Sequence, residues 1–450
     1  MSELQIIILA AGCGKRMLSS LPKVLHKLAA MPMLAHVLNT ANEVSPETSP
    51  IVVASEELAA QPQFHILQQK YNFNIVIQKE RLGTAHAVMA ALPQVATAQN
   101  ILVLYGDVPL IESSTLLNLV KIHKKEQATL SCLGFDAVCA DGYGRLLVNN
   151  SYDLNNIIED KDLSPEQKSI TICNSGILLF TQQALSLLKK INNQNQAHEY
   201  YLTSLVNIVQ QNGLKCIYQL TDEKQVKGVN DKHQLAELEY ILQQKLRKQA
   251  MIKCGVTMLD PASTFIAADV KFGKDVILYP NVHLGSGVVL GDGATILPFS
   301  VIEGAVIGAN SIIGPFARLR LGADIAEEVK IGNFVEIKNS KINKGTKINH
   351  LAYVGDASIG SGCNIGAGTV FCNYDGVNKN QTIVGDNVFI GSNSSLIAPL
   401  NISNNAMVAA GSTINKNINS NELGIARALQ SNVKDYVVRH LSTKKAKKHQ

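Results

Sequence analysis

The chain has 450 residues, 46% of them hydrophobic and 17% charged, too many for one ordinary domain and apolar enough for large buried cores. The formal net charge is +5, and four of the positive charges lie in the last seven residues, KKAKKHQ, so the body is close to neutral. No basic stripe with interleaved aromatics appears elsewhere, which argues against nucleic acid as the main partner, and the lysine-rich tail reads as a solvated end.

Eight cysteines are scattered without a CxxC or a close Cys/His pairing, a pattern that argues against structural zinc and against a disulfide framework and suits a reducing compartment. The sequence enters an apolar strand, QIIILA, with no signal-peptide pattern, and no apolar run reaches the length of a membrane span. The expectation is a cytoplasmic protein.

The first half alternates short apolar runs with helical stretches. Strands are predicted at 5–9, 51–55, 73–78, 101–106, 128–133 and 176–181, with helix-like segments such as STLLNLVKIHKK and HEYYLTSLVNIVQ between them. This alternation predicts an α/β domain with a mostly parallel sheet, helices on both faces and ligands at the carboxyl ends of the strands. From Asn230 to about Ala250 the pattern turns helical, with Leu235, Leu238, Leu242 and Leu246 spaced by three and four and Asn230 or Asp231 as the N-cap.

Beyond residue 251 the period becomes six. Ile266, Phe272, Leu278, Leu284, Leu290, Ile296 and Ile302 are each six apart. After a five-residue step the series resumes at Ile307, Ile313, Leu319, Ile325, Ile331 and Ile337, then at Ile342, Ile348 and Val354, then at Ile359, Ile365 and Phe371, and last from Val384 to Ile414. A helix needs an apolar residue every three to four positions and an alternating strand every two. Six is the period of a parallel β-helix, in which each flat side uses one hexapeptide and each coil buries its core only against its neighbours. The thirteen residues from Phe371 to Val384 hold CNYDGVNKNQT, which breaks the period and predicts a loop thrown out from one edge. The expected organisation is an α/β domain over 1–229, a linker helix over 230–250, and a β-helix over 251–450 that includes the C-terminal tail.

LAAGCGKRM, which follows the first strand, is neither a Walker A motif nor GxGxxG. Together with LPKVL it resembles the sugar-1-phosphate nucleotidyltransferases, and the hexapeptide half resembles the left-handed β-helix acyltransferases. Across nearly the whole chain the two halves, in order, resemble the bacterial family that joins an N-acetylglucosamine-1-phosphate uridylyltransferase to a glucosamine-1-phosphate N-acetyltransferase. The fold this implies is a Rossmann-like α/β nucleotidyltransferase with a mostly parallel mixed sheet, followed by a left-handed parallel β-helix.

In the first half the resemblance implies that Leu9, Ala10, Ala11 and Gly12 contact the nucleotide, small residues letting backbone N–H groups approach it. Arg16 and Lys23 lie beside the triphosphate, where positive charge offsets charge building on the pyrophosphate leaving group. Gln78, Gly83 and Thr84, in VIQKERLGTAHA, match the segment that reads uracil; a glutamine amide donates and accepts, which suits an imide edge. Tyr105, Gly106 and Asp107 end the strand ILVLYGD, and an aspartate at a strand's carboxyl end is well placed to hold Mg²⁺. Asn230 matches the second metal ligand. Gly144, Glu159 and Asn174 match sugar-binding positions, as does the run from Glu199 to Thr203. Ser204 stands where the family has aspartate.

In the second half an amine must lose a proton as it attacks a thioester. His350, in INHLAYVGD, matches the general base, a role that suits histidine's ordinary pKa of about 6.5. Arg320 and Lys338 match residues that hold the sugar phosphate, with Leu321 where the family has proline. Tyr353, Asn364, Asn373 and Tyr374 match further sugar-site positions. Ala367, Ser392, Ala410 and Arg427 match acetyl-CoA contacts; a serine hydroxyl suits a developing oxyanion. The implied co-substrates are UTP and acetyl-CoA, the implied metal is Mg²⁺, and the implied assembly is a homotrimer. The alternatives are a nucleotidyltransferase whose β-helix only assembles or regulates, against which His350, Lys338, Tyr353 and the CNYDG loop argue, and a non-catalytic scaffold, against which Lys23, Asp107 and Asn230 argue.

Overall fold

Strand β1 (Leu4–Leu9) is buried from Gln5 onward, because both faces of its sheet are covered. Ile6 and Ile8 point into one core and Ile7 and Leu9 into a second, as the two-residue period of a strand requires. The computed structural model describes residues 3–95, 98–149 and 153–447, and the chain divides into two compact units, Met1–Leu246 and Arg247–Gln450.

In the first unit β1 joins β2 (Ile51–Ala54), β3 (Asn74–Ile77), β4 (Asn100–Tyr105), β5 (Leu130–Asp136), β6 (Arg145–Val148), β7 (Leu154–Ile158), β8 (Ile172–Thr181) and β9 (Cys216–Thr221). The sheet order is β9-β5-β8-β4-β1-β2-β3, with β6 joined to β8 and β7. Strands β4, β1, β2 and β3 run parallel, whereas β8 runs antiparallel to both β4 and β5. The sheet is therefore mixed. Strands β6, β7 and β9 are not among the strands predicted from sequence: β7 and β9 carry interspersed polar residues such as Asn155 and Gln219, and β6 offers an apolar run of only three residues, Leu146 to Val148.

Helices α1 (Met33–Val44) and α3 (Ser113–Lys125) cover one face through Leu34, Leu38, Leu116 and Leu119. Helices α2 (Thr84–Val95) and α4 (Ser204–Gln211) cover the other through Ala85, Val88, Leu205 and Val209. The helix expected from residue 198 starts only at Ser204, because the preceding segment is spent elsewhere: Tyr200 N–H donates to the Leu82 carbonyl (2.7 Å) and Ala85 N–H to the Tyr200 carbonyl (2.9 Å). Helix α5 (Lys232–Cys254) begins where the Asp231 carboxylate accepts from Gln234 N–H at 2.9 Å, and it buries Leu238 and Leu242.

In the second unit, among the described residues, short strands form three parallel sheets of ten, nine and eight strands, the left-handed parallel β-helix expected. Each strand pairs with the next coil's at the same position, as in Ile277↔Thr295, His283↔Val301 and Val289↔Val306. The six-spaced residues from Leu278 to Ile414 form one continuous core, each side chain contributing roughly 1.5–3 kcal/mol of burial. The five-residue steps at Ile302–Ile307, Ile337–Ile342 and Val354–Ile359 all fall at one corner, between the second sheet and the third, and so does the Phe371–Val384 insertion. From Ile266 onward, irregularity in the repeat is thus confined to a single edge. Helix α6 (Tyr436–Lys447) follows the β-helix; residues 448–450 of the lysine-rich tail lie outside those described.

Coil-to-coil fit is tightest at glycines. A Cβ on Gly332 would stand 1.9 Å from the Asn349 carbonyl oxygen of the next coil. We expect Gly332→Ala to destabilise the β-helix by about 1–3 kcal/mol or more, seen as a lower midpoint for its unfolding transition; an unchanged midpoint would contradict this packing.

Candidate active sites

At the carboxyl ends of β1, β3 and β4 lies a cavity of about 300 Å³. Leu9, Ala10, Ala11 and Gly12 line it, with Lys23, Gln78, Gly83, Thr84, Tyr105 and Asp107. The loop after β1 can pass close to a ligand because nothing lies within 4 Å of where a Gly12 Cβ would sit. Gly83 has φ +117°, and a Cβ there would meet the Tyr200 carbonyl oxygen at 2.5 Å, so only glycine fits the turn into α2. Cys13, Val24 and Arg81 also line the cavity, and sequence reasoning did not single them out. Arg16 does not line it; its side chain is exposed in a short 3-10 turn.

Lys23 Nζ pairs with the Asp107 carboxylate and also donates to Asn230 Oδ1 at 3.3 Å. Two oxygens from the middle and the end of the unit's sequence thus converge on one cationic head. The donor set, one carboxylate and one amide carbonyl, is the all-oxygen kind that Mg²⁺ takes when phosphates and water complete its shell. Among the described residues no group of three or more His, Cys, Asp or Glu could hold a metal, so these residues fit an ion shared with substrate and not a protein-caged one.

Gly144, Glu159 and Asn174 form a second cluster. Asn174 N–H donates to the Gly144 carbonyl at 2.8 Å, and a Gly144 Cβ would stand 3.4 Å from Glu159 Oε2. Burial raises the pKa of Glu159, against a 2.7 Å bond from Thr203 Oγ1 that lowers it. Tyr105 links this cluster to the cavity, since its ring packs where a Gly176 Cβ would be; burial, then Glu159 and Asp107, push its phenol well above the usual tyrosine range.

In the β-helix, residues two positions beyond the inward apolar residue of the first sheet stack at the corner leading to the second. Asn333, His350, Ala367, Ser392 and Ala410 occupy that place on successive coils. Backbone bonds tie the column: Leu351 N–H to Asn333 O (3.0 Å), Asn393 N–H to Ala367 O (2.7 Å) and Gly411 N–H to Ser392 O (2.8 Å). Arg427 ends it, donating from Nη1 to the Ala410 carbonyl at 3.0 Å. With about 4.8 Å per coil, His350 and Arg427 are on the order of 20 Å apart along one edge. His350 Nδ1 lies 2.7 Å from Asn333 Oδ1. An amide oxygen can only accept, so Nδ1 carries the proton and Nε2 is left with its lone pair.

Arg320 and Lys338 stack on consecutive coils at the far edge of the second sheet, and Arg320 is held by Glu336 at 2.7 Å. Lys379, from the inserted loop, comes close enough to Lys338 to lower its pKa; two facing ammonium groups are a site for a doubly charged anion. Asn373 donates to Asp356 at 2.5 Å and Asn339 to the same carboxylate at 2.6 Å. A Cβ on Gly355 would collide with Tyr353 Oη (2.5 Å) and Asn373 Nδ2 (2.7 Å), so that glycine lets the two side chains meet. Tyr374 donates to the Gly376 carbonyl at 2.5 Å within the loop. Asn364 lies apart from these, on the first sheet beside Lys347 and Phe389. Lys379 and Asn333 were missed in the sequence because one lies in the stretch that breaks the period and the other becomes His350's neighbour only through a seventeen-residue register.

Comparisons with known proteins agree with this division. Residues 6–198 match the MobA-like NTP transferase domain, residues 269–304 the six-repeat bacterial transferase hexapeptide, and residues 381–416 the hexapeptide repeat of succinyl-transferase. The bifunctional protein GlmU of Zymomonas mobilis is 43% identical over 95% of each chain. That of Paramagnetospirillum magneticum is 42% identical over 99% of this chain and 98% of its own, and that of Chromobacterium violaceum 44% over 96% and 98%. The chain belongs to the bifunctional GlmU family. The two positions at which the sequence resemblance implies other residues, Leu321 and Ser204, are local. Leu321 N–H donates to no backbone group among the described residues, and the corner is held by Ala323 N–H to Arg320 O (3.0 Å) and Asn339 N–H to Leu321 O (3.1 Å), so losing proline leaves these bonds in place. Ser204 opens α4, whose first turn has no acidic residue; an aspartate there would complement the helix dipole.

The Asn333–His350 bond generates a prediction. Asn333→Ala frees the imidazole to rotate and to change tautomer, and acetyl transfer should fall about tenfold or more, short of the ~10²–10⁴-fold cost of removing a base. Thiol release from acetyl-CoA measures it, and an unchanged rate would contradict the positioning role.

Proposed function

We propose that this bifunctional enzyme acetylates glucosamine 1-phosphate with acetyl-CoA in its β-helix and then transfers uridylyl from UTP to the resulting N-acetylglucosamine 1-phosphate in its first unit. The product is UDP-N-acetylglucosamine, a precursor of bacterial cell-envelope polymers. The observation that carries the assignment is the register column: a histidine with a free Nε2 lone pair heads a corner whose lower steps end in an arginine about one extended coenzyme away. A β-helix serving only for assembly has no need of that arrangement.

At the β-helix site, Arg320, Lys338 and Lys379 hold the sugar phosphate, with Tyr353, Asn373 and Tyr374 around the ring. His350 Nε2 takes a proton from the sugar amine as its nitrogen attacks the thioester carbonyl. Ser392 donates toward the oxyanion, the C–S bond breaks, and coenzyme A leaves as the thiol. Ala367 and Ala410 keep the coenzyme's path narrow and unobstructed, and Arg427 pairs with one of its phosphates. Asn364 shares the first sheet with His350, whereas Arg320, Lys338 and Tyr353 belong to the second; sugar-site residues divided between two faces suit a site completed by a neighbouring copy, which supports a homotrimer with sites between chains.

At the nucleotide site, Gln78, Gly83 and Thr84 hold the base, the loop Leu9–Gly12 approaches the nucleotide, and Gly144, Glu159 and Asn174 hold the sugar. An oxygen of the sugar phosphate attacks the α-phosphorus in line and pyrophosphate departs, so no side-chain nucleophile is needed and orientation carries the reaction. Lys23 leaves its partners for the triphosphate and offsets charge on the leaving group; Arg16 serves the same end from the exposed turn. Mg²⁺, held by Asp107 and Asn230, would supply charge neutralisation on the phosphates. Among the described residues no helix is long and apolar enough to cross a membrane; the cytoplasmic setting belongs to this reading through its co-substrates, UTP and acetyl-CoA.

His350→Ala should lower thiol release by ~10²–10⁴-fold and leave pyrophosphate release from UTP and N-acetylglucosamine 1-phosphate unchanged. Asp107→Ala should do the reverse. Thiol release that survives His350→Ala would remove the base assignment, and wild-type protein that releases pyrophosphate but never thiol would make the β-helix structural.

A further inference from the structure

The base end of the nucleotide cavity contains an arrangement that selects which pyrimidine enters. Gln78 follows β3 directly, and its backbone N–H extends the pairing by donating to the Ala54 carbonyl at 2.9 Å. Its side chain is only 5% exposed and lines the cavity. The amide nitrogen Nε2 lies 3.3 Å from the Gly83 carbonyl oxygen and 3.1 Å from His86 Nδ1. An amide NH₂ has two hydrogens, and both are spent here. The reversed amide would set its own oxygen against the Gly83 carbonyl, acceptor against acceptor, so the orientation follows from the chemistry of Gly83. Among the described residues Oε1 takes no protein donor, and it is absent from the fully buried polar atoms that lack a partner. It is therefore the atom that Gln78 offers to the cavity.

We infer that His86 is a positioning residue for base specificity: its Nδ1 accepts from Gln78, locking the amide with its oxygen toward the base, so that the cavity admits a pyrimidine with a proton on N3 and rejects one without. Uracil N3–H donates to Oε1. Cytosine presents an unprotonated N3, a second acceptor facing the first, and a buried polar mismatch of that kind is strongly rejected. The lock requires the imidazole proton on Nε2. It also requires a fixed imidazole. His86 stands in the first turn of α2, where Thr84 Oγ1 accepts from Leu202 N–H at 2.9 Å and Ala85 N–H donates to Tyr200 O at 2.9 Å.

This inference rests on the reading of Gln78 as the group that meets the base, and the experiment separates the two. The ratio of kcat/KM for UTP to that for CTP is measured for wild type, Gln78→Ala, His86→Phe and His86→Asn. His86→Phe keeps the bulk and removes the acceptor; His86→Asn returns an acceptor oxygen near the place of Nδ1. The ratio should fall at least about tenfold in Gln78→Ala and in His86→Phe, the latter mainly through KM for UTP, and should recover in His86→Asn. A collapse in Gln78→Ala with no change in His86→Phe overturns the role of His86 alone. No change in Gln78→Ala overturns the reading of Gln78 and the inference with it. Independently of how the variants fold, long-range proton–nitrogen spectra of the wild-type protein report the His86 tautomer: Nε2–H is expected, and Nδ1–H would overturn the lock.

Discussion

In the β-helix the strands are hydrogen-bonded to the coils above and below, and the distance between coils along the chain is seventeen or eighteen residues, except for twenty at the first coil, sixteen at the last and twenty-five across the insertion. That register decides what stands beside what. It stacks the inward aliphatic residues into one core, and it stacks the corner residues into a column headed by Asn333 and His350 and closed by Arg427. The chemistry of the second unit depends on this ladder more than on any single contact. A misfit such as a Cβ at Gly332 acts on the site by parting two coils. The same ladder explains why the variable corner is the one that carries Lys338, Asn373 and Lys379. From Ile266 onward the other two corners keep their lengths, so the column at His350 stays in step while the opposite edge varies.

The first unit depends on a different constraint. Strands β1, β3 and β4 are parallel and end together, so three loops open onto one cavity. Residues far apart in sequence meet there: Lys23 follows the first strand, Asp107 the fourth, and Asn230 precedes the linking helix. A lysine between an aspartate and an asparagine is a cation held by two oxygens, and that geometry supports a divalent ion at the same place once phosphates arrive to take the lysine.

Much of this was legible in the sequence. A period of six is a property of the chain itself and survives any context, so the β-helix and its inward residues could be read directly. Apolar runs such as ILVLYGD marked both a buried strand and the cavity-lining aspartate at its end. What could not be read depended on neighbours distant along the chain. Nothing in GILLFT says that its strand runs antiparallel to those beside it. The segment 198–203 has helical composition but is drawn into pairing with 82–85. Asn333 looks like any turn residue until the register brings it to His350, and Lys379 sits where the period fails. Gln78 was identified as a base reader that donates and accepts, but its NH₂ is occupied by Gly83 and His86 and only the oxygen remains. Of the proposed residues, Arg16 lies outside the cavity and Asn364 on the sheet of His350, away from Arg320 and Lys338, two positions that residue type alone does not reveal.

The central claim is that one chain carries two complete and separable sites. It is tested most directly by complementation. His350→Ala and Asp107→Ala proteins, each unable to convert glucosamine 1-phosphate, acetyl-CoA and UTP into UDP-N-acetylglucosamine, are mixed with all three substrates, and the product is followed by chromatography. The account predicts that the mixture makes the product after a lag while N-acetylglucosamine 1-phosphate accumulates, because each protein supplies the site that the other lacks. A mixture as inactive as either protein alone, with both otherwise folded, would contradict it.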